Sequence, residues 1–286
     1  MPSSDLSSNK SKSSSHDRDN TIFPIPELAI ARFKGADTVD FLQGYLTCDT
    51  TKIGDTKPTL WSICNIKGRA VANGWALRND YETIDLILHN SLVDPLLMFF
   101  TPYLAFSNTE GSNLGKKSKI YGSREPLDGK GLQLAQNQYL HIFYEDNSLS
   151  DAPQKSPKNT ERWIGELIRE NLCLLMNETS GRFLPQMLGL TESGAINFDK
   201  GCYLGQEIIA RAQHRGSVKR TLKQLFWTGT RPKEGDDIVT TDQTIIGTVI
   251  NVDGDDAEGI SLSVIANKTG FPVESATTMF QELSSN

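Results

Sequence analysis

Two β-rich runs, residues 61–65 and 70–78, are separated by little more than Lys67-Gly68-Arg69. A link that short cannot hold the crossover that a parallel pair needs, so the runs must return on each other as a hairpin. Upstream, Leu28-Ala29-Ile30-Ala31-Arg32-Phe33 reads as a strand by its branched and aromatic content. Gly35-Ala36-Asp37 reads as a turn, with Asp37 capping a helix that carries Val39, Phe41, Leu42, Tyr45 and Leu46 on one face and ends near Cys48-Asp49. Residues 83–88 follow as a less cleanly alternating strand, and residues 92–100 as a helix with Pro95 in its first turn. Hairpins and helices without repeating βαβ units indicate an α+β fold.

Residues 111–130 are polar and read as loop, 139–144 as a strand, and 145–160 as an exposed loop. A helix over 161–170 is expected, capped by Thr160, with Trp163, Ile164, Leu167 and Ile168 on its buried face. Beyond residue 220, short β runs at 222–227, 237–240, 245–252 and 259–266 are punctuated by Gly229, Pro232, Gly235, Gly247 and Asp253-Gly254. The expected division is a disordered polar tail over 1–20, an α+β region over 21–220 and a small β-barrel module over 221–286.

The net charge of −6 argues against a constitutive, non-specific nucleic-acid binder, although Arg211, Arg215, Lys219 and Arg220 form a local basic run. Cys48, Cys64, Cys173 and Cys202 are far apart and form no C-x-x-C pair, which suits a reducing, cytoplasmic setting. No apolar run reaches the ~20 residues of a membrane helix, and the tail lacks a signal core. His16, His89, His141 and His214 are scattered, so no resident metal is expected.

One stretch concentrates chemistry: residues 198–211, reading FDKGCYLGQEIIAR, and on through Arg215-Gly216 to Lys219-Arg220. Gly201 and Gly205 bracket Cys202 and Tyr203, as in a tight turn feeding a helix N-terminus, where Gln206 and Glu207 occupy the first turn. Cys202, with Lys200 two residues away, is open to roles as a cluster ligand, redox thiol or covalent carrier, or to being inert packing.

The motif Lys200-Gly201-Cys202-Tyr203-x-Gly205-Gln206-Glu207 with Ala210-Arg211 resembles the signature of the YgfZ-type folate-binding proteins, relatives of the glycine-cleavage T-protein (aminomethyltransferase). Gly181-Arg182-Phe183-Leu184-Pro185-Gln186, Gln43-Gly44, Thr47-Cys48-Asp49 and Cys64-x-x-Lys67-Gly68-Arg69 fall in the family's order. The resemblance implies a ring of α+β modules around a central folate site, with a C-terminal β-barrel. It implies binding of tetrahydrofolate or another folate and support of iron–sulfur cluster assembly or repair, affecting iron–sulfur-dependent tRNA modification. Expected partners are iron–sulfur enzymes or assembly factors such as tRNA-thiomethylating enzymes; a monomer is expected, without stable nucleic-acid binding or a membrane anchor. Cys202 is the functional thiol that this likeness singles out. Trp163 falls where the family lines its folate site with tryptophan, Leu28 where it places a second, and Lys200, Tyr203, Gln206, Glu207 and Arg211 are site-lining by resemblance. The alternative is a folate-dependent aminomethyl or one-carbon transferase. The transferase branch needs an acid after a glycine-rich turn; here residues 67–74 offer only Asn73, which cannot act as a carboxylate base. A binding accessory rather than a turnover enzyme is therefore expected.

Overall fold

The computed structural model describes residues 22–127, 131–144, 158–216 and 218–283. The expected disordered tail, residues 1–20, and residues 145–157 of the loop expected over 145–160 lie outside the described residues. In chain order the first half contains β1 (Phe23–Pro24), β2 (Leu28–Lys34), α1 (Thr38–Gln43), β3 (Thr59–Cys64), β4 (Ala70–Asp80), β5 (Thr83–His89), α2 (Val93–Leu104) and β6 (Glu110–Asn113). Then follow β7 (Ser118–Ser123), β8 (Leu132–Ala135), β9 (Gln138–Tyr144), α3 (Lys158–Arg169) and α4 (Gln206–Arg215). The last part is all β: β10 (Arg220–Gly229), β11 (Asp237–Val239), β12 (Ile245–Gly254), β13 (Glu258–Ala266), β14 (Val273–Ser275) and β15 (Thr278–Glu282).

Three antiparallel sheets result, ordered β3-β4-β5-β2-β6, β1-β7-β9-β8 and β11-β12-β13-β10-β15-β14. The expected α+β fold with a C-terminal barrel is borne out. In the last sheet Val239 N donates to Ser275 Oγ at 2.9 Å, drawing the two edge strands together into a nearly closed barrel around Trp227, Val249 and Phe280.

The central strands of the first sheet are buried on both faces. Along β2, Ala29, Ala31 and Phe33 enter one core while Leu28 and Ile30 enter another. β5 repeats this, with Ile84, Leu86 and Leu88 on one side and Ile87 on the other. Two buried faces remove the polar half of the alternation, which is why residues 83–88 read indistinctly. The second face also carries a part-buried ion pair. Arg32 grips Asp85 with two 2.7 Å hydrogen bonds, and Tyr144 donates a third to Asp85 at 2.6 Å.

Four local expectations need correction. Asp37 does not cap α1; its carboxylate accepts from Asn108 N at 2.8 Å instead. α1 stops at Gln43 rather than near Cys48-Asp49, because Thr47 N donates to Ser62 O on β3 at 2.8 Å, while its hydroxyl accepts from Ser62 N at 2.9 Å and donates to Ala195 O at 2.6 Å. Residues 111–130 contain the end of β6 and all of β7; β6 is a sheet edge with exposed polar side chains, so its composition resembles a loop. Thr160 lies inside α3, which begins at Lys158.

Candidate functional site

The signature stretch is anchored by its lysine. Lys200 is 8% exposed, and its Nζ donates to Gln43 O at 2.7 Å, Leu46 O at 2.6 Å and Cys48 O at 2.8 Å. These three carbonyls leave the α1 helix path to meet the ammonium, the second reason that helix ends early. Burial pulls the Lys200 pKa down to about 8, with Cys48 and Asp49 opposing. All three ammonium protons are taken by backbone oxygens, so Lys200 is an architectural cation and not a companion of Cys202.

From this anchor the chain swings out and back. Gly201 and Cys202 are exposed, whereas Tyr203 returns to the interior with its ring 5.1 Å from Lys200 Nζ. Burial raises the Tyr203 pKa, and its hydroxyl has no partner. Tyr203 N donates to Gln206 Oε1 at 3.2 Å, closing the turn from inside the first turn of α4. Gly205 precedes α4 with φ +82°, and a Cβ there would lie 2.6 Å from Asn65 O. Only glycine lets α4 sit this close to the Lys67–Arg69 turn. Exposed Cys202 thus opens onto a cleft of about 550 Å³ walled by Tyr45, Tyr103, Ile66 and Ile208, with Glu207 at its edge. Arg211 is exposed on α4. Cys64, by contrast, is fully buried and takes no part in this surface.

A second constellation forms around α3. Trp163 is 2% exposed and shares an apolar cluster with Leu28, Ile30, Ile87 and Trp75, whose ring centroid lies 6.2 Å away at 61°. The indole N–H groups of Trp75 and Trp163 and the Gln138 carbonyl oxygen are all buried without partners. Beside this cluster Asn73, on β4, holds the segment after α3. Its Nδ2 donates to Cys173 O at 2.7 Å and its Oδ1 accepts from Leu175 N at 2.8 Å. From the barrel, Asn251 repeats the device on the residue between: Leu174 N donates to Oδ1 and Nδ2 donates to Leu174 O, both at 2.9 Å. Residues 173–175 are therefore gripped from both sides.

The recess inside this clamp, lined by Asn73, Trp75 and Leu172, measures about 10 Å³, room for one water and no more. Outside it, past Asn171 and Ser193, a cleft of about 730 Å³ opens between Arg169, Glu170, Glu192 and Lys223, with Gln186 on its wall. Gln186 Nε2 is bonded to Ile209 O, but its Oε1 is a buried acceptor without a partner. In volume the outer cleft is large enough for a folate, and Arg169 and the Gln186 acceptor give it polar groups of use to one; the inner recess admits no pterin.

No protein-family model matches the chain. Curated sequences do. It is 29% identical to the tRNA-modifying protein YgfZ of Klebsiella pneumoniae, over 76% of this chain and 75% of that one. To the proteins of the same name in Escherichia coli O157:H7 and an Enterobacter species it is 27% identical, over 76% of each chain. The chain is a homologue of the YgfZ proteins. Among solved structures it is similar to the glycine cleavage system aminomethyltransferase T of Bartonella henselae, with a TM-score of 0.65, 12% identity, and coverage of 92% of this chain and 84% of that one. That likeness is one of fold.

The residues selected by the YgfZ resemblance fall at two places. Leu28 and Trp163 meet in one cluster, but enclosed in the core rather than flanking an open slot. Cys202, Tyr203, Gln206 and Glu207 line the other cleft, beneath which Lys200 serves as anchor. Trp75 and Asn251 escaped the sequence reading. Trp75 could have been found, since it shares the odd-numbered face of β4 with Asn73; Asn251 sits in an apolar strand with no local signal. Among the described residues no group of His, Cys, Asp and Glu is arranged to hold a metal, and no helix is long and apolar enough to cross a membrane.

Proposed function

We propose that this protein binds a reduced folate and supports tRNA modification by iron–sulfur enzymes in the cytoplasm, without transferring a one-carbon unit itself. The observation that carries this reading is the cleft of about 730 Å³ lying outside a sealed recess. Folate occupies that outer cleft, where Arg169 suits its glutamate carboxylates, Lys223 would exchange its 2.6 Å pairing with Glu282 for one of them, and the unpartnered Gln186 acceptor adds to a polar wall. Bound folate supplies a carrier of one-carbon units or reducing equivalents. The chain's own residues orient it and keep it from the Asn73 position. Both polar atoms of Asn73 are consumed by backbone groups, so the side chain is free neither to shift a proton nor to hold a reacting amine. The names of the curated relatives support the link to tRNA, and the exposed Cys202 thiol is the contact offered to client enzymes.

Titration with tetrahydrofolate, followed by tryptophan fluorescence and calorimetry, tests the binding step. Saturable binding that Arg169→Glu weakens at least tenfold is expected, a loss of about 1.4 kcal/mol. An unresponsive wild-type protein removes the folate assignment. In a strain lacking the gene, Cys202→Ala should bind folate normally yet fail to restore tRNA thiomethylation; full restoration removes the thiol's role.

A further inference from the structure

The cleft at Cys202 has features that a folate accessory does not need. Its rim is preformed. Asn65 Oδ1 accepts from Lys67 N at 2.9 Å and Arg69 N at 3.2 Å, fixing the tip of the β3–β4 hairpin. Gly68 seats that tip on α4 so closely that a Cβ would lie 2.8 Å from Ile208 Cβ. Ile66 is thereby held 75% exposed and Ile208 41% exposed on one wall, an apolar display that is costly unless something covers it. Opposite stand Tyr45 and Tyr103, ring centroids 5.3 Å apart, with Tyr103 41% exposed. Beside the lining residues in sequence are Lys67, next to Ile66, and Arg211, one turn beyond Ile208; both are exposed, and neither forms an ion pair among the described residues, even though Glu207 is four residues from Arg211. The chain carries a net charge of −6, so unneutralised cations beside an aromatic slot are a local departure from its character.

We infer that this cleft docks single-stranded RNA, taking one unstacked base between Tyr103 and the Ile66–Ile208 wall while Lys67 and Arg211 meet the flanking phosphates. Its volume of about 550 Å³ is of nucleotide size. Apolar and aromatic faces with cations beside them are the chemistry that recognises an unpaired nucleotide. The two cations, without ion-pair partners among the described residues, are what favour a polyanionic occupant over an apolar peptide, which would leave them unmatched. The inference rests on the tRNA link proposed above and names the surface that would carry it. Docking there covers Cys202, bringing RNA and thiol together on a face separate from the folate cleft.

The test is a titration of fluorescent single-stranded oligonucleotide and of unmodified tRNA between 50 and 200 mM salt. With two phosphate contacts, log K should fall against log salt with a slope of about −1.4, and Lys67→Glu should bring it to about −0.7. Tyr103→Ala should weaken binding about tenfold and leave the slope unchanged. Saturating RNA should also slow alkylation of Cys202 by iodoacetamide. Folate titration of Lys67→Glu should match wild type, so a failure of the folate reading appears in that arm and a failure of the RNA reading in the other. Salt-independent binding, variants indistinguishable from wild type, or unchanged Cys202 alkylation each overturn the inference. So does an absence of RNA binding in a protein whose cellular function Tyr103→Ala abolishes, which would assign the cleft to a protein partner.

Discussion

Replacing Asn73 by aspartate tests both the clamp and the absence of a catalytic acid. The wild-type amide has a donor aimed at Cys173 O, 2.7 Å away, and an acceptor receiving Leu175 N at 2.8 Å. In N73D one carboxylate oxygen still accepts from Leu175 N. The other faces a carbonyl oxygen at hydrogen-bond distance with no proton between them, at a position that is 2% exposed. A buried charge left without compensation costs about 3–5 kcal/mol, and at ~2–4 °C per kcal/mol the melting temperature should drop by about 10 °C at pH 7.5. Protonation restores the donor, so the folded-state pKa of the introduced carboxyl rises above its unfolded value of about 3.9. An acid with a raised folded pKa weakens the fold as pH rises through that pKa and ceases to do so on acidification. The deficit relative to wild type should therefore narrow at pH 5. Asn73→Ala orphans two buried backbone groups instead, and should lose about 2–4 kcal/mol with no such pH dependence. Denaturant melts of the three proteins at both pH values read this directly. An N73D protein as stable as wild type at pH 7.5, or a deficit that persists unchanged at pH 5, refutes the clamp. The variant should also release no one-carbon unit from glycine or related amines when tetrahydrofolate is supplied, because the recess beside it holds about 10 Å³.

Other perturbations follow from the same structure. Asp85→Ala should cost about 1.5–3 kcal/mol by removing the charged hydrogen bonds of the part-exposed Arg32, and Tyr144→Phe about 1 kcal/mol, checked by a double-mutant cycle in urea. Gly205→Ala should destabilise by about 2 kcal/mol or more, since φ is +82° and the new Cβ meets Asn65 O; faster proteolysis near Cys202 would report it. Hydrogen bonds from Thr51, aided by Lys52 and Gln43, hold the Asp49 carboxyl down at about 2. Its stabilisation is present above the unfolded value near 4 and lost as pH falls toward 2, so Asp49→Ala should flatten acid unfolding in that window.

The sequence was informative wherever local chemistry and fold agreed. The Lys67–Arg69 hairpin, the buried face of α3 and the barrel strands β10 to β13 all carry their own periodicity or turn residues. It misled where distant groups decide. α1 ends where Lys200, more than 150 positions away, collects three carbonyls, and no window around residue 45 contains that information. β14 and β15 are short, with one buried core side chain each, Val273 and Phe280, and exist because they extend the barrel edge beyond β10. At the site, residue types were legible but their direction was not. Lys200 lies two positions from Cys202 and faces the opposite way; Trp163 has the right identity for a stacking wall and is enclosed by Trp75 and Leu28. Asn73 was legible as a missing acid. Its partners became visible only when residues 173–175 were brought beside β4.

The two constellations divide the work between closure and access. Around Trp163 and Asn73, paired amides lock the first sheet to the barrel through three residues, leaving the deepest recess too small for substrate. Around Cys202, the strongest local interactions all lie behind the thiol: the Lys200 carbonyl cage, the buried Tyr203 ring and the glycine that seats α4. They stiffen the loop without supplying the thiol a lysine partner. An exposed cysteine whose sequence neighbour Lys200 is already satisfied takes no activation from that lysine. That arrangement suits the accessory role proposed above, in which the reacting group arrives with the partner.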